Sequence, residues 1–148
     1  ARNASLGLVR TILSIDVPGT RTGGYVLWTK GNPLQYDEII FHPDKLESDD
    51  YRYFLNIFNQ FKPNLVIMEH PFLLVISEKI GMAKGWCSAN HVSWWQIGPS
   101  KAKKLVLDKG NATKGEVLTW AQHHIPNLKS QHIADALLYL WAWQQQNK

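Results

Sequence analysis

At 148 residues, 45% of them apolar, the chain has the size of one globular domain and can bury a core without disulfide or metal staples. Charged residues make up 19%, too few for a disordered polyelectrolyte, and no apolar run approaches the roughly 18 residues of a membrane helix. The lone cysteine, Cys87, excludes an intramolecular disulfide and a Cys-rich zinc site. The expectation is one domain over residues 1–148 of an intracellular protein with no membrane partner, residues 1–8 being a disordered or trimmed end without signal-peptide character.

Leu8 to Asp16 holds Val9, Ile12, Leu13 and Ile15 and stops at Pro18-Gly19, which predicts a strand that ends in an acid. Tyr25–Trp28 and Glu38–Phe41 are β-rich runs separated by Gly31, Asn32 and Pro33, so the first three strands read as an antiparallel meander. Tyr51, Phe54, Leu55, Phe58 and Phe61 recur at helical spacing after the candidate caps Ser48 and Asp49, with Pro63 beyond the end. Leu65–Met68 is a continuous apolar run of strand length, suited to burial on both faces, and it too ends in an acid, Glu69. Ser77–Asn90 reads as a helix whose Gly81, Ala83 and Gly85 permit close approach of another backbone. Val92–Ile97 reads as the next strand, stopped by Gly98 and Pro99, and Lys114–His124 and Gln131–Trp143 as two closing helices.

The charge is concentrated. Five lysines, Lys101, Lys103, Lys104, Lys109 and Lys114, face one acid, Asp108, and carry the whole formal excess of +4. Such a run reads either as a solvated loop or as a strip that contacts phosphate. Asp37, Glu38, Asp44, Glu47, Asp49 and Asp50 form an acidic cluster that leads into a helix start, and no chemistry is assigned to it.

In open α/β sheets ligands gather beyond the carboxyl ends of strands, and Asp16 and Glu69 occupy that position on two strands. Asp135 falls in the first turn of the last helix, with His132 three residues earlier on the same face. Clustered carboxylates repel unless a cation neutralises them, so hard oxygen donors in this arrangement point to Mg²⁺ or Mn²⁺. A pair of such ions ~3.5–4 Å apart hydrolyses phosphodiesters by clamping the attacking and leaving oxygens. His123 and His124 adjoin each other and fall on different helix faces, and no nucleophile elbow is present, so there is no triad. Cys87 reads as a small buried residue, and most of the seven tryptophans as core or subunit contacts. There is no P-loop, and Gly23-Gly24 reads as a turn signal, so no nucleotide cofactor is expected.

Ile12-Leu13-Ser14-Ile15-Asp16, then Pro18-Gly19-Thr20-Arg21 and Gly24-Tyr25, resembles the opening strand and turn of RuvC-type Holliday junction resolvases, with Val17 as a one-residue insertion. The likeness continues through Met68-Glu69-His70-Pro71-Phe72, Lys103-Lys104, Gly110-Asn111-Ala112-Thr113-Lys114 and His132-Ile133-Ala134-Asp135-Ala136-Leu137, and spans Ile12 to about Trp143. The resemblance implies an α/β, RNase H-like fold, a mixed five-stranded sheet with an antiparallel meander plus parallel strands, flanked by helices. It also implies a homodimer that nicks four-way DNA junctions at two symmetric positions, with two Mg²⁺ or Mn²⁺ ions in each site. On that likeness Asp16, Glu69, His132 and Asp135 hold metal, and Lys114 and Lys103 meet phosphate near the cut. Phe72 packs at the opened junction on the same likeness, while Lys101, Lys104 and Lys109 are DNA-binding on the charge pattern alone, as parts of the phosphate strip. His132 is the departure, because many members carry an Asp there. The small size and the Gly19-Thr20-Arg21-Thr22-Gly23 turn look like viral or phage-like members, which would place the protein in the cytoplasm, nucleoid or host cytoplasm. Two alternatives stay open: a nuclease of the same fold acting on other branched DNA or RNA–DNA hybrids, and a catalytically degenerate DNA-binding module.

Overall fold

The computed structural model describes residues 9–147 apart from 20, 43, 45, 72 and 73, so the expectations for residues 1–8 and for Phe72 lie outside the described residues. In chain order the elements are β1 (Thr11–Asp16), β2 (Thr22–Thr29), β3 (Gln35–Ile40), α1 (Glu47–Phe61), β4 (Leu65–Glu69), α2 (Leu74–Ala89), β5 (Ser93–Ile97), α3 (Pro99–Leu107), α4 (Lys114–Gln122) and α5 (Gln131–Gln146). The sheet runs β3-β2-β1-β4-β5. Its first three strands form the expected antiparallel meander, while β4 lies parallel to β1 and β5 parallel to β4.

Side chains alternate across a strand, and here each face has its own core. Ile12, Leu65 and Ile67 pack with α4 and α5 through Val117, Ala134 and Leu137. Leu13, Ile15, Val66 and Met68 pack with α1 and α2 through Phe54, Phe58, Ile80 and Cys87. Burial of β4 on both faces explains its unbroken apolar run. Cys87 is fully buried, as expected. Among the described residues no helix is long and apolar enough to cross a membrane.

Several local expectations are corrected. The basic stretch is a helix over most of its length: Gly98 is the N-cap and Pro99 the first residue of α3, a position where the missing N–H costs nothing and the fixed φ favours the helix. Asp108 ends α3 in the left-handed region at φ 57°. Gly23 and Gly24 lie inside β2, which starts three residues before the expected Tyr25, and are no turn. Neither Ser48 nor Asp49 caps α1; Leu46 holds the N-cap position without a side-chain bond, and Glu47, Asp49 and Asp50 sit in the first turn, where the helix dipole favours acids. His123 and His124 fall beyond the last residue of α4, and the His124 ring rests 4.3 Å from that of Trp141.

Candidate active site

The register of β1 on β4 pairs Ile15 with Met68, so Asp16 and Glu69, each the next residue, end adjacent strands at the same edge of the sheet. Alternation sends both to the α5 side, since Asp16 shares the parity of Ile12 and Ser14, and Glu69 that of Leu65 and Ile67. The helix α5 meets them there. The Ser14 hydroxyl donates to the Ala136 carbonyl at 2.6 Å, and Ala134 and Ala136 are small enough for the helix to lie close on the sheet. Gly24, opposite Asp16 on β2, completes the fit: a Cβ there would stand 2.8 Å from the backbone of His132 and Ile133. Ser130 caps α5 by accepting from the Ile133 N–H at 3.2 Å, and its hydroxyl donates to Glu38 on β3 at 2.9 Å.

Asp16, Glu69 and Asp135 thereby line one pocket of about 180 Å³, together with Lys103 of α3, Lys114 at the start of α4, Gln131 and Tyr139. Glu69 is 7% exposed and accepts from the Val17 N–H at 3.1 Å. Burial, reinforced by the Asp16 charge, pushes the Glu69 carboxyl up to about 8. The same two causes, burial first, push Asp135 up to about 6 against the opposing bond that Gln131 donates at 3.3 Å. His132 does not line the pocket but bonds to one of its carboxylates, with Nδ1 2.7 Å from Asp16 Oδ2, a bond that raises its pKa and favours its protonated form.

The donor set suits a hard divalent cation, since carboxylates whose charge is disfavoured by burial and mutual repulsion converge from two strand ends and a helix. Among the described residues no group of three or more His, Cys, Asp or Glu side chains already forms a cage for a metal ion.

Of the other predicted residues, Lys103 and Lys114 reach the pocket, and Lys101, Lys104 and Lys109 do not. Lys104 pairs with Asp108 at 3.4 Å, and Lys109 with Glu116 at 3.0 Å. Glu116 also closes the capping box of α4 with Thr113. Sequence reasoning missed Glu38, Gly24 and Tyr139. Tyr139 is marked by spacing alone, one turn beyond Asp135 on the same helical face, whereas Glu38 and Gly24 depend on tertiary contacts that no local pattern carries.

No protein-family model and no curated protein sequence matches the chain. Solved structures do. Thermus thermophilus RuvC superposes with a TM-score of 0.71 at 18% identity over 91% of this chain and 93% of that one. The same enzyme in complex with a Holliday junction substrate gives 0.68 at 19% identity, over 92% and 93%. The fowlpox virus Holliday junction resolvase gives 0.60 at 13% identity, over 92% and 98%. The chain has the RNase H-like fold of the RuvC-type Holliday junction resolvases.

Proposed function

We propose that this chain is a metal-dependent endodeoxyribonuclease that resolves four-way DNA junctions by paired, symmetric nicking as a homodimer inside the cell. The observation that carries the reading is the gathering in one pocket of Asp16, Glu69 and Asp135 with Lys103 and Lys114. Carboxylates alone would repel DNA, and lysines alone would only bind it. Together they suit a site that holds a phosphodiester and a divalent cation at once.

Asp16, Glu69 and Asp135 would hold Mg²⁺ or Mn²⁺, two ions in each site. When bound, such ions activate water and offset the charge on the reacting oxygens. His132 orients the Asp16 carboxylate through Nδ1, and in its neutral form its Nε2 would be free to serve as a further donor to the metal. Lys114 and Lys103, on the pocket wall, offset the charge of the phosphate that enters. Lys101 and Lys104, on the exposed side of α3, extend the cationic surface away from the cut. Paired nicking needs a second site in fixed relation to the first.

The test is cleavage of a synthetic four-way junction by purified protein in Mg²⁺ or Mn²⁺ against EDTA, with nicked, flapped and RNA–DNA hybrid duplexes as competitors. Symmetric metal-dependent nicks in the junction are expected. Preferential cutting of the hybrid would move the protein to another substrate class within the same fold.

A further inference from the structure

Lys79 of α2 is 5% exposed, yet it belongs to neither the pocket nor the basic segment. Its ammonium donates to the Gly19 carbonyl at 2.9 Å and lies over two rings, 5.4 Å from the centroid of Phe41 and 5.7 Å from that of Tyr51. The Tyr51 hydroxyl is held in turn by Glu47 and Glu78. Placing an ammonium in so enclosed a position costs desolvation that a methionine of similar length would avoid. Set against that cost are the two ring contacts and a directed bond to a backbone carbonyl.

That carbonyl belongs to the short segment that leaves the site. Asp16 ends β1 with its side chain toward α5, and Val17 turns to the opposite core. The Val17 N–H donates to Glu69, and three residues after Asp16 the chain meets Lys79. A Cβ at Gly23 would stand 2.3 Å from the Asp16 carbonyl, so β2 closes on the same peptide. The segment is thus held at its start by Glu69 from one face of the sheet and at Gly19 by Lys79 from the other.

We propose that Lys79 is a positioning residue that sets the Asp16 carboxylate relative to Glu69 by anchoring the segment after β1. The proposal deepens the nuclease reading and rests on it. Without the bond, the segment swings about Val17, and Asp16 loses its fixed separation from Glu69 while the DNA-binding surface is untouched.

The experiment compares the parent with Lys79→Met, Lys79→Gln and Lys79→Arg. Calorimetric Mn²⁺ titration without DNA, thermal melting in EDTA, junction affinity in EDTA and single-turnover cleavage at saturating Mn²⁺ are measured for each. Lys79→Met is expected to bind the junction like the parent, but to lose about 10- to 100-fold in Mn²⁺ affinity or cleavage rate, the usual cost of removing a group that orients a ligand. Lys79→Arg, which keeps a charged donor, should recover most of the loss. Should Lys79→Met fail to fold, Lys79→Gln, with a shorter neutral donor, must show a loss of the same kind. Mn²⁺ affinity and rate equal to the parent's, in whichever of these folds, overturn the proposal, as does a lowered melting temperature with both unchanged. A parent that binds Mn²⁺ but cuts no junction removes the nuclease reading alone, leaving the titration to decide on Lys79; a parent that binds no Mn²⁺ removes both.

Discussion

Glu69→Gln should stabilise the metal-free protein while abolishing its chemistry. In the folded chain burial, and after it the Asp16 charge, disfavour the ionised form and push the Glu69 carboxyl up to about 8, against 4.5 for an ordinary glutamate. The folded protein therefore holds this proton more tightly than the unfolded chain does, the reverse of a carboxylate with a cationic partner. The favourable contribution is complete below about pH 4.5 and is lost as pH rises through the interval up to about 8. At roughly 1.4 kcal/mol per pH unit, ionising the unfolded chain between 4.5 and pH 7 bounds the loss at about 3 kcal/mol. Part of the penalty comes from neighbouring carboxylates that stay in place, so the part recovered by a single substitution is smaller, about 1–3 kcal/mol. For a chain of this length that is a rise in melting temperature of roughly 3–10 °C. A glutamine keeps an oxygen for the Val17 N–H, so the backbone bond survives. The assay is thermal melting in EDTA at pH 7 and at pH 4.5, followed by Mn²⁺ addition at pH 7. The variant should melt above the parent at pH 7, the gap should close at pH 4.5, and Mn²⁺ should raise the parent's melting temperature much more than the variant's. A variant that melts below the parent at pH 7 in EDTA would refute the account of a site strained by its own charge.

Asp16→Asn and Asp135→Asn should each abolish junction cleavage yet bind the junction at least as well as the parent in EDTA, because affinity comes from cations and a carboxylate beside phosphate is repulsive until metal is present. Lys101→Ala should lower the slope of log affinity against log salt by about one, whereas Lys104→Ala and Lys109→Ala should change it less, being already paired with Asp108 and Glu116. Lys114→Ala should show chiefly a rate defect, seen as a lowered single-turnover rate at saturating junction. Gly24→Ala drives a Cβ into the first turn of α5 and should lower both the melting temperature and the cleavage rate, as melting and single-turnover assays would show. His132→Ala removes the bond to Asp16 and should weaken Mn²⁺ binding about 10- to 100-fold by calorimetry, with a larger loss of activity in Mn²⁺ than in Mg²⁺.

The pairing of Asp16 with Glu69 was legible because two apolar runs of strand length each stopped at an acid, and parallel neighbours in an α/β sheet bring such ends together. Helix α3 was not, because Gly98-Pro99 signals a stop as readily as a first turn, and three lysines hide the short apolar face that meets α5. Gly23-Gly24 reads locally as a turn, and only the packed structure shows that β2 needs both positions bare against the Asp16 peptide and the first turn of α5. The acidic cluster divides on inspection: Glu47, Asp49 and Asp50 serve the start of α1, while Glu38 reaches across to the cap of α5. Lys79 had no sequence signal at all, since a lysine on a helix is solvated by default.

The placement of Asp135 on α5 also bears on how substrates are told apart. From Ile133 to Trp143 most of this helix is buried, and through Ser14 and the N-cap at Ser130 it is tied to the sheet on which the other carboxylates stand. Burial and ties of this kind belong to the stable part of a fold, so Asp135 is carried on a stiff element. Under the proposed function, the DNA then has to do the bending. A continuous duplex resists it, at a cost of order 1–6 kcal/mol for a sharp bend over 20–30 base pairs. A branch point, where stacking is already interrupted, bends at lower cost, so in the proposed nuclease the stiffness of α5 would itself favour branched over linear DNA.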